Sequence, residues 1–141
     1  MNSDFSITEL PEIVENLPKN KKALFQRIYR FYVEIGRLKL PETMREWAIE
    51  RFGECEEQRI IRVTNKITLE STLFNELRAR RPIDARVSGD IESMIEESEG
   101  GAFCNPLKQT PVDAFGRVEG EHCITASNIA KYDYLHAVIV F

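Results

Sequence analysis

The sequence predicts an α+β fold, with amino-terminal helices followed by an antiparallel sheet. Three observations lead there. Residues 20–38 carry apolar side chains at helical spacing. From Gln58 onward the pattern changes to β-branched runs broken by turn residues. The last residues, Ala137-Val138-Ile139-Val140-Phe141, read as a buried strand. At 141 residues the chain is long enough for one domain with its own core.

The elements follow in order. Over 20–38, Leu24, Ile28, Phe31, Tyr32, Ile35 and Leu38 fall on one helical face, with Lys21, Lys22, Arg27, Arg30 and Glu34 on the other. Asn20 is placed to cap the start. Pro41 separates this helix from a second over 42–52, which buries Met44, Trp47, Ala48 and Phe52 and stops at Gly53. A hairpin follows at 58–64 and 67–75, turning at Thr64-Asn65-Lys66 and running on into Leu77-Arg78-Ala79-Arg80-Arg81-Pro82. An acidic helix over 88–98 should point Ile91, Met94 and Ile95 inward. Residues 99–120 are rich in Gly and Pro and read as loop. Two strands, 121–126 and 135–141, close the chain. The expected division is a helical region over 1–55 and a β-rich domain over 56–141.

A net charge of −4 argues against a general polyanion binder, so nucleic acid is not the expected partner. No segment reaches the roughly 20 apolar residues of a membrane span, and the first residues lack a signal-peptide pattern. Three widely spaced cysteines do not form a secreted disulfide framework. The expectation is a cytoplasmic protein that does not enter membranes.

Several residues are candidates for chemistry. Arg78 and Arg80 alternate onto one face of the expected strand, with Arg81 leaving in the turn before Pro82. Guanidinium groups gathered there suit a phosphate, because their forked donors meet its oxygens in pairs; a solvated basic edge is the structural alternative. Phe103-Cys104-Asn105-Pro106 lies in a loop of the kind that holds zinc. A structural zinc site takes four ligands, usually with a Cys-x-x-Cys pair, and Gly101 stands where the first cysteine belongs. His122 and Cys123 are adjacent, so strand alternation points them to opposite faces. A cysteine nucleophile, Cys104 or Cys123 working with His122, has no spacing to support it. With only His122 and His136, imidazole for acid–base work is scarce.

From about residue 58 onward the succession of segments resembles the amino-terminal half of the galactose-1-phosphate uridylyltransferases, in the histidine-triad superfamily of nucleotidyl transferases. Thr64-Asn65-Lys66-Ile67-Thr68 and Leu77-Arg78-Ala79-Arg80-Arg81-Pro82 resemble the family's opening hairpin and its Arg-x-x-Arg-Pro segment. Ala102-Phe103-Cys104-Asn105-Pro106 resembles the end of its zinc loop. Ile124-Thr125-Ala126-Ser127-Asn128-Ile129-Ala130 resembles the strand and turn that close over the nucleoside. Residues 1–55 have no counterpart in the resemblance.

The resemblance implies part of a histidine-triad-like half-barrel. It places Arg78 and Arg81 on the phosphates of a nucleotide or nucleotide-sugar of the UDP-hexose class, and Asn128 on the nucleoside. Zinc is implied only if residues outside this chain complete a site with Cys104. The family's nucleophile lies in a His-x-His segment that this sequence lacks. The expected function is therefore the amino-terminal part of a uridylyltransferase-like enzyme, inactive alone and completed by a second polypeptide or self-associated through the terminal strand. The alternative is a non-enzymatic nucleotide-binding or protein-interaction module with a vestigial pocket.

Overall fold

The computed structural model describes residues 5–80 and 91–141. A 3-10 turn (Ile7–Glu9) leads into α1 (Leu10–Glu15), where Pro11 occupies a first-turn position that needs no N–H donor. Then comes α2 (Lys19–Ile28), which starts from Pro18, so Asn20 lies inside the helix and is not its cap.

The helix expected over 20–38 ends at Ile28, and Tyr29–Lys39 form strand β1. This corrects the sequence reading. Tyr29, Phe31, Tyr32, Val33 and Ile35 suit a pleated surface as well as a helix face, and apolar density this high satisfies both periods. The partner decides: β1 pairs antiparallel with β2 (Glu57–Asn65) over nine residue pairs, from Tyr29 opposite Asn65 to Arg37 opposite Glu57. Residues on either side of the expected 55/56 boundary thus share one sheet.

Between these strands lies α3 (Glu42–Phe52), as expected. Its buried side is Met44, Ala48 and Phe52, while Trp47 is half exposed. Gly53 ends the helix at φ +73°, with its N–H donated to the Ile49 carbonyl at 2.8 Å. The hairpin partner β3 (Ser71–Asn75) begins later than expected, because Ile67 and Leu69 sit exposed in the turn. Asn65 organises that turn, its Oδ1 accepting from the Ile67 and Thr68 amides.

The strand expected to run on through Arg80 is instead a helical turn, α4 (Glu76–Ala79). Asn75 sets it, because its Oδ1 accepts from the Leu77 amide at 2.9 Å as an N-cap. Residues Ile91–Ser98 form α5, with Ile91, Met94 and Ile95 exposed rather than inward. Periodicity revealed the stripe but could not supply a neighbour to cover it. The remaining elements are α6 (Pro106–Gln109), β4 (Val112–Asp113), β5 (Ile124–Ser127) and β6 (Ala137–Val140).

Helices and antiparallel sheets confirm the α+β class. One sheet runs β3-β2-β1-β4, and β5 pairs with β6. The Ser127 amide donates to the Pro111 carbonyl at 2.9 Å, linking β5 to the residue before β4. Leu38, Leu40, Met44, Ala48, Phe52, Cys55, Leu77 and Ala130 form one apolar cluster. Ile60 and Ile61 of β2 are both fully buried, so the sheet is covered on both faces there.

A polar seam joins the two sheets. Lys131 is fully buried, and its Nζ lies 2.6 Å from Asp113 Oδ2. Its stem crosses Gly36 of β1, where a Cβ would come within 2.8 Å of Lys131 Cδ. Gln58 Oε1 accepts from the Lys131 amide at 3.0 Å and from Asn75 Nδ2 at 2.8 Å, and its Nε2 donates to Cys55 and Ile129 carbonyls. Breaking the ion pair strands a buried carboxylate. Lys131→Met should therefore cost about 3–5 kcal/mol in urea unfolding, and the Lys131→Met/Asp113→Asn double variant should recover more than half of it. Gly36→Ala should cost about 1–3 kcal/mol by overpacking, because neither Lys131 nor Ile60 has room to yield.

Candidate functional site

Directly after β5 the chain turns at Asn128. Its amide donates to the His136 carbonyl at 2.9 Å, and its Oδ1 accepts from the Ala130 amide at 3.2 Å. That bond fixes which end of the side-chain amide faces the backbone, leaving Nδ2 as a donor for something else. Asn128 lines a cavity of about 440 Å³, within the range of small-molecule sites. The amino-terminal wall is α3, through Met44, Trp47, Arg51 and Phe52. Phe103, Gln109, Ile129 and Val138 also line it. The Gln109 side chain makes no hydrogen bond among the described residues.

Sequence reasoning singled out Asn128 and read the range of α3 correctly, but did not place that helix at the cavity. A hint existed in Trp47, an aromatic on a helix whose apolar face was already filled by Met44, Ala48 and Phe52.

Arg78 does not line this cavity. From α4 its Nη1 donates to the Ala130 carbonyl at 2.8 Å and its Nη2 to the Tyr132 hydroxyl at 2.6 Å. Its Cζ stands 3.3 Å from the centroid of the Tyr132 ring, a stacked cation–π contact. Arg78 therefore holds the backbone two residues beyond Asn128, with three of its five N–H donors left over. Arg80 pairs with Glu76 at 3.4 Å one helical turn away, so Arg78 and Arg80 do not share the face that strand alternation predicted. Arg81 lies outside the described residues.

Cys104 is exposed, Cys123 half-buried and Cys55 buried. No group of three or more metal-ligating side chains occurs among the described residues. His122 is exposed and precedes β5, so it does not alternate with Cys123 in a strand.

Two titratable centres involve the segment that follows Asn128, and sequence reasoning gave neither of them a place at the site. Asp133 Oδ2 accepts from Arg62 at 2.7 Å, and Glu34 sits against it from β1. As a carboxylate, Glu34 leaves a buried Oε2 with no partner. As a carboxylic acid it donates to Asp133. Burial raises the Glu34 pKa, the hydrogen bond and charge of Asp133 raise it further, and Arg62 opposes them. The reading of 20–38 as helix had turned Glu34 toward solvent; as a strand residue it stands opposite buried Ile60.

The second centre is His136. Its Nδ1 accepts from the Tyr132 amide at 3.1 Å, so the neutral ring carries its proton on Nε2. Burial lowers its pKa, and the charges of Lys131 and Arg78 lower it further. With its Nδ1 lone pair occupied and Nε2 protonated, His136 is a poor nucleophile in this geometry.

No protein-family model matches this chain, and neither the curated proteins nor the solved structures contain a match to it.

The two centres have opposite pH signs. Folding favours neutral His136, so the unfolded chain binds more protons below about pH 6.5 and stability falls as pH drops there. Folding also favours neutral Glu34, so its stabilisation is present at low pH and lost as pH rises past the ordinary carboxylate range. Glu34→Gln, a permanent donor to Asp133, should gain about 1 kcal/mol at pH 7, and the gain should vanish near pH 4. His136→Asn should flatten the decline between pH 6.5 and 5. Urea titrations across pH 4–8 check both.

Proposed function

We propose that this chain is a nucleotide-binding part of a uridylyltransferase-like nucleotidyl transferase, resembling part of a histidine-triad-like half-barrel. The observation that carries the reading is the position of Asn128. The residue singled out as a nucleoside contact lines a cavity of suitable size, with its Oδ1 committed to the backbone and its Nδ2 left to donate. A uracil or ribose oxygen is an acceptor of the right kind. Arg78 and Arg81 serve the phosphates, Arg78 through the donors not spent on Ala130 and Tyr132.

The sequence contains no His-x-His segment, so in this reading the nucleophile comes from another polypeptide and the chain alone transfers nothing. A docking edge for that polypeptide is β6, which among the described residues pairs only with β5. Ile139 and Phe141 are exposed beside it. Zinc enters only if the partner's ligands join Cys104.

Isothermal titration with UDP, UDP-glucose and AMP tests the pocket. The expected result is binding of the uridine nucleotides, weakened about tenfold by Asn128→Ala through loss of one buried hydrogen bond. Binding indifferent to Asn128→Ala, Arg78→Ala and Arg81→Ala alike would discard the reading.

A further inference from the structure

Strand β1 has a second edge besides the one it gives to β2. The Leu38 amide donates to the Glu56 carbonyl at 2.9 Å, and the Lys66 amide donates to the Ile28 carbonyl at 2.7 Å. Both bonds continue the β1–β2 register, so even-numbered residues of β1 turn their backbone groups toward β2. Odd-numbered residues turn theirs to the opposite edge. There β4 meets only Leu38 and Lys39. Among the described residues, the N–H and C=O groups of Phe31, Val33 and Ile35 have no hydrogen-bond partner. Tyr29 donates its N–H to the Phe25 carbonyl, and its own C=O faces the same edge. Strand edges are usually blunted by charge, proline or shortness. Phe31, Val33 and Ile35 supply neither charge nor proline, and β1 is 11 residues long, against 5 in β3 and 4 each in β5 and β6. What such an edge recognises is another extended backbone.

Two unmatched side chains say which backbone. Arg30 is exposed and makes no ion pair among the described residues; its guanidinium lies 5.7 Å from the Tyr32 ring centroid. Glu34, on the same face of β1, has the buried Oε2 that lacks a partner. Tyr32 is halfway between them, so a two-fold axis at Tyr32 sets Arg30 of one copy against Glu34 of the other. We propose that this chain forms a symmetric dimer by antiparallel pairing of β1 with β1 of a second copy, centred on Tyr32. Phe31 then stands opposite Val33 of the second copy and exchanges hydrogen bonds with it, and the Ile35 amide donates to the Tyr29 carbonyl across the interface. Charge selects this register. An axis at Val33 faces Arg30 with Gly36, and an axis at Glu34 brings the two carboxyl groups together. The surface is separate from β6 and independent of what the cavity binds.

Sedimentation velocity on the full chain reads the dimer, and variants locate it. The expected result is a dimer that Arg30→Glu weakens about tenfold or more, because the exchange sets like charges opposite each other at two places. Circular dichroism checks that the exposed substitution leaves the fold in place. Cross-linking gives a second reading, in a Cys104→Ser/Cys123→Ser background so that the introduced thiol is the accessible one. Tyr32→Cys should oxidise to a disulfide-linked dimer, since residues facing each other in a non-hydrogen-bonded pair have Cα atoms about 4.5 Å apart, within disulfide reach. Ile139→Cys, on β6, should not. A chain that stays monomeric at every concentration would overturn the proposal. So would a dimer indifferent to Arg30→Glu, or one that cross-links through Ile139→Cys and not through Tyr32→Cys.

Discussion

Two opposite charges buried in one place dictate much of this structure. Lys131 and Asp113 have almost no exposure, and neither ion can leave water without its partner. Asp113 also accepts from Ser127 Oγ at 3.1 Å and from the Ala114 amide at 2.7 Å. A strand of two residues, β4, thereby becomes a junction between the long sheet, the β5-β6 pair and the segment that follows Asn128. Such a pair adds little net stability over apolar residues of the same shape. Its consequence is positional: any other register leaves a charge unpaired.

The rest of the seam follows from that junction. Lys131 can cross the sheet only because Gly36 has no side chain, and its backbone is held by both Gln58 and Asn75. With the chain fixed at 129–131, Asn128 faces the cavity on one side. Further along, Tyr132 lies under Arg78, Asp133 reaches Arg62, and His136 returns its carbonyl to the Asn128 amide. The candidate nucleotide contact and both titratable centres are thus products of one anchored loop. Site geometry and sheet packing depend on the same few polar side chains.

Local signals in the sequence were readable where one residue type had one meaning. Pro41 and Gly53 bracket α3, and the apolar runs at 58–64 and 137–140 are strands. Errors arose where two meanings competed. Residues 29–38 satisfy helix and strand periods at once, and only pairing with β2, twenty residues on, settles them. Leu77–Arg80 look like a continuing strand unless Asn75 is recognised as a helix cap. Of the site, Asn128 was legible through a resemblance in local sequence. The cavity wall formed by Trp47 and Arg51, and the Glu34–Asp133 contact, were not. They join positions far apart in the chain, and nothing in local spacing encodes their meeting. A buried Lys131 was invisible for the same reason, since a lone lysine in a sequence reads as surface.

The central claim is that the Lys131–Asp113 junction holds the Asn128 loop as part of the folded core and not as an ordinary surface connection. Native-state hydrogen exchange at the Asn128 and Lys131 amides tests it most directly. The account predicts that both exchange only through global unfolding, at the same free energy as core amides of β2, and that Lys131→Met lets both exchange through local opening. Exchange at these two amides as fast as at the exposed Ile67–Leu69 turn in the unaltered chain would contradict it.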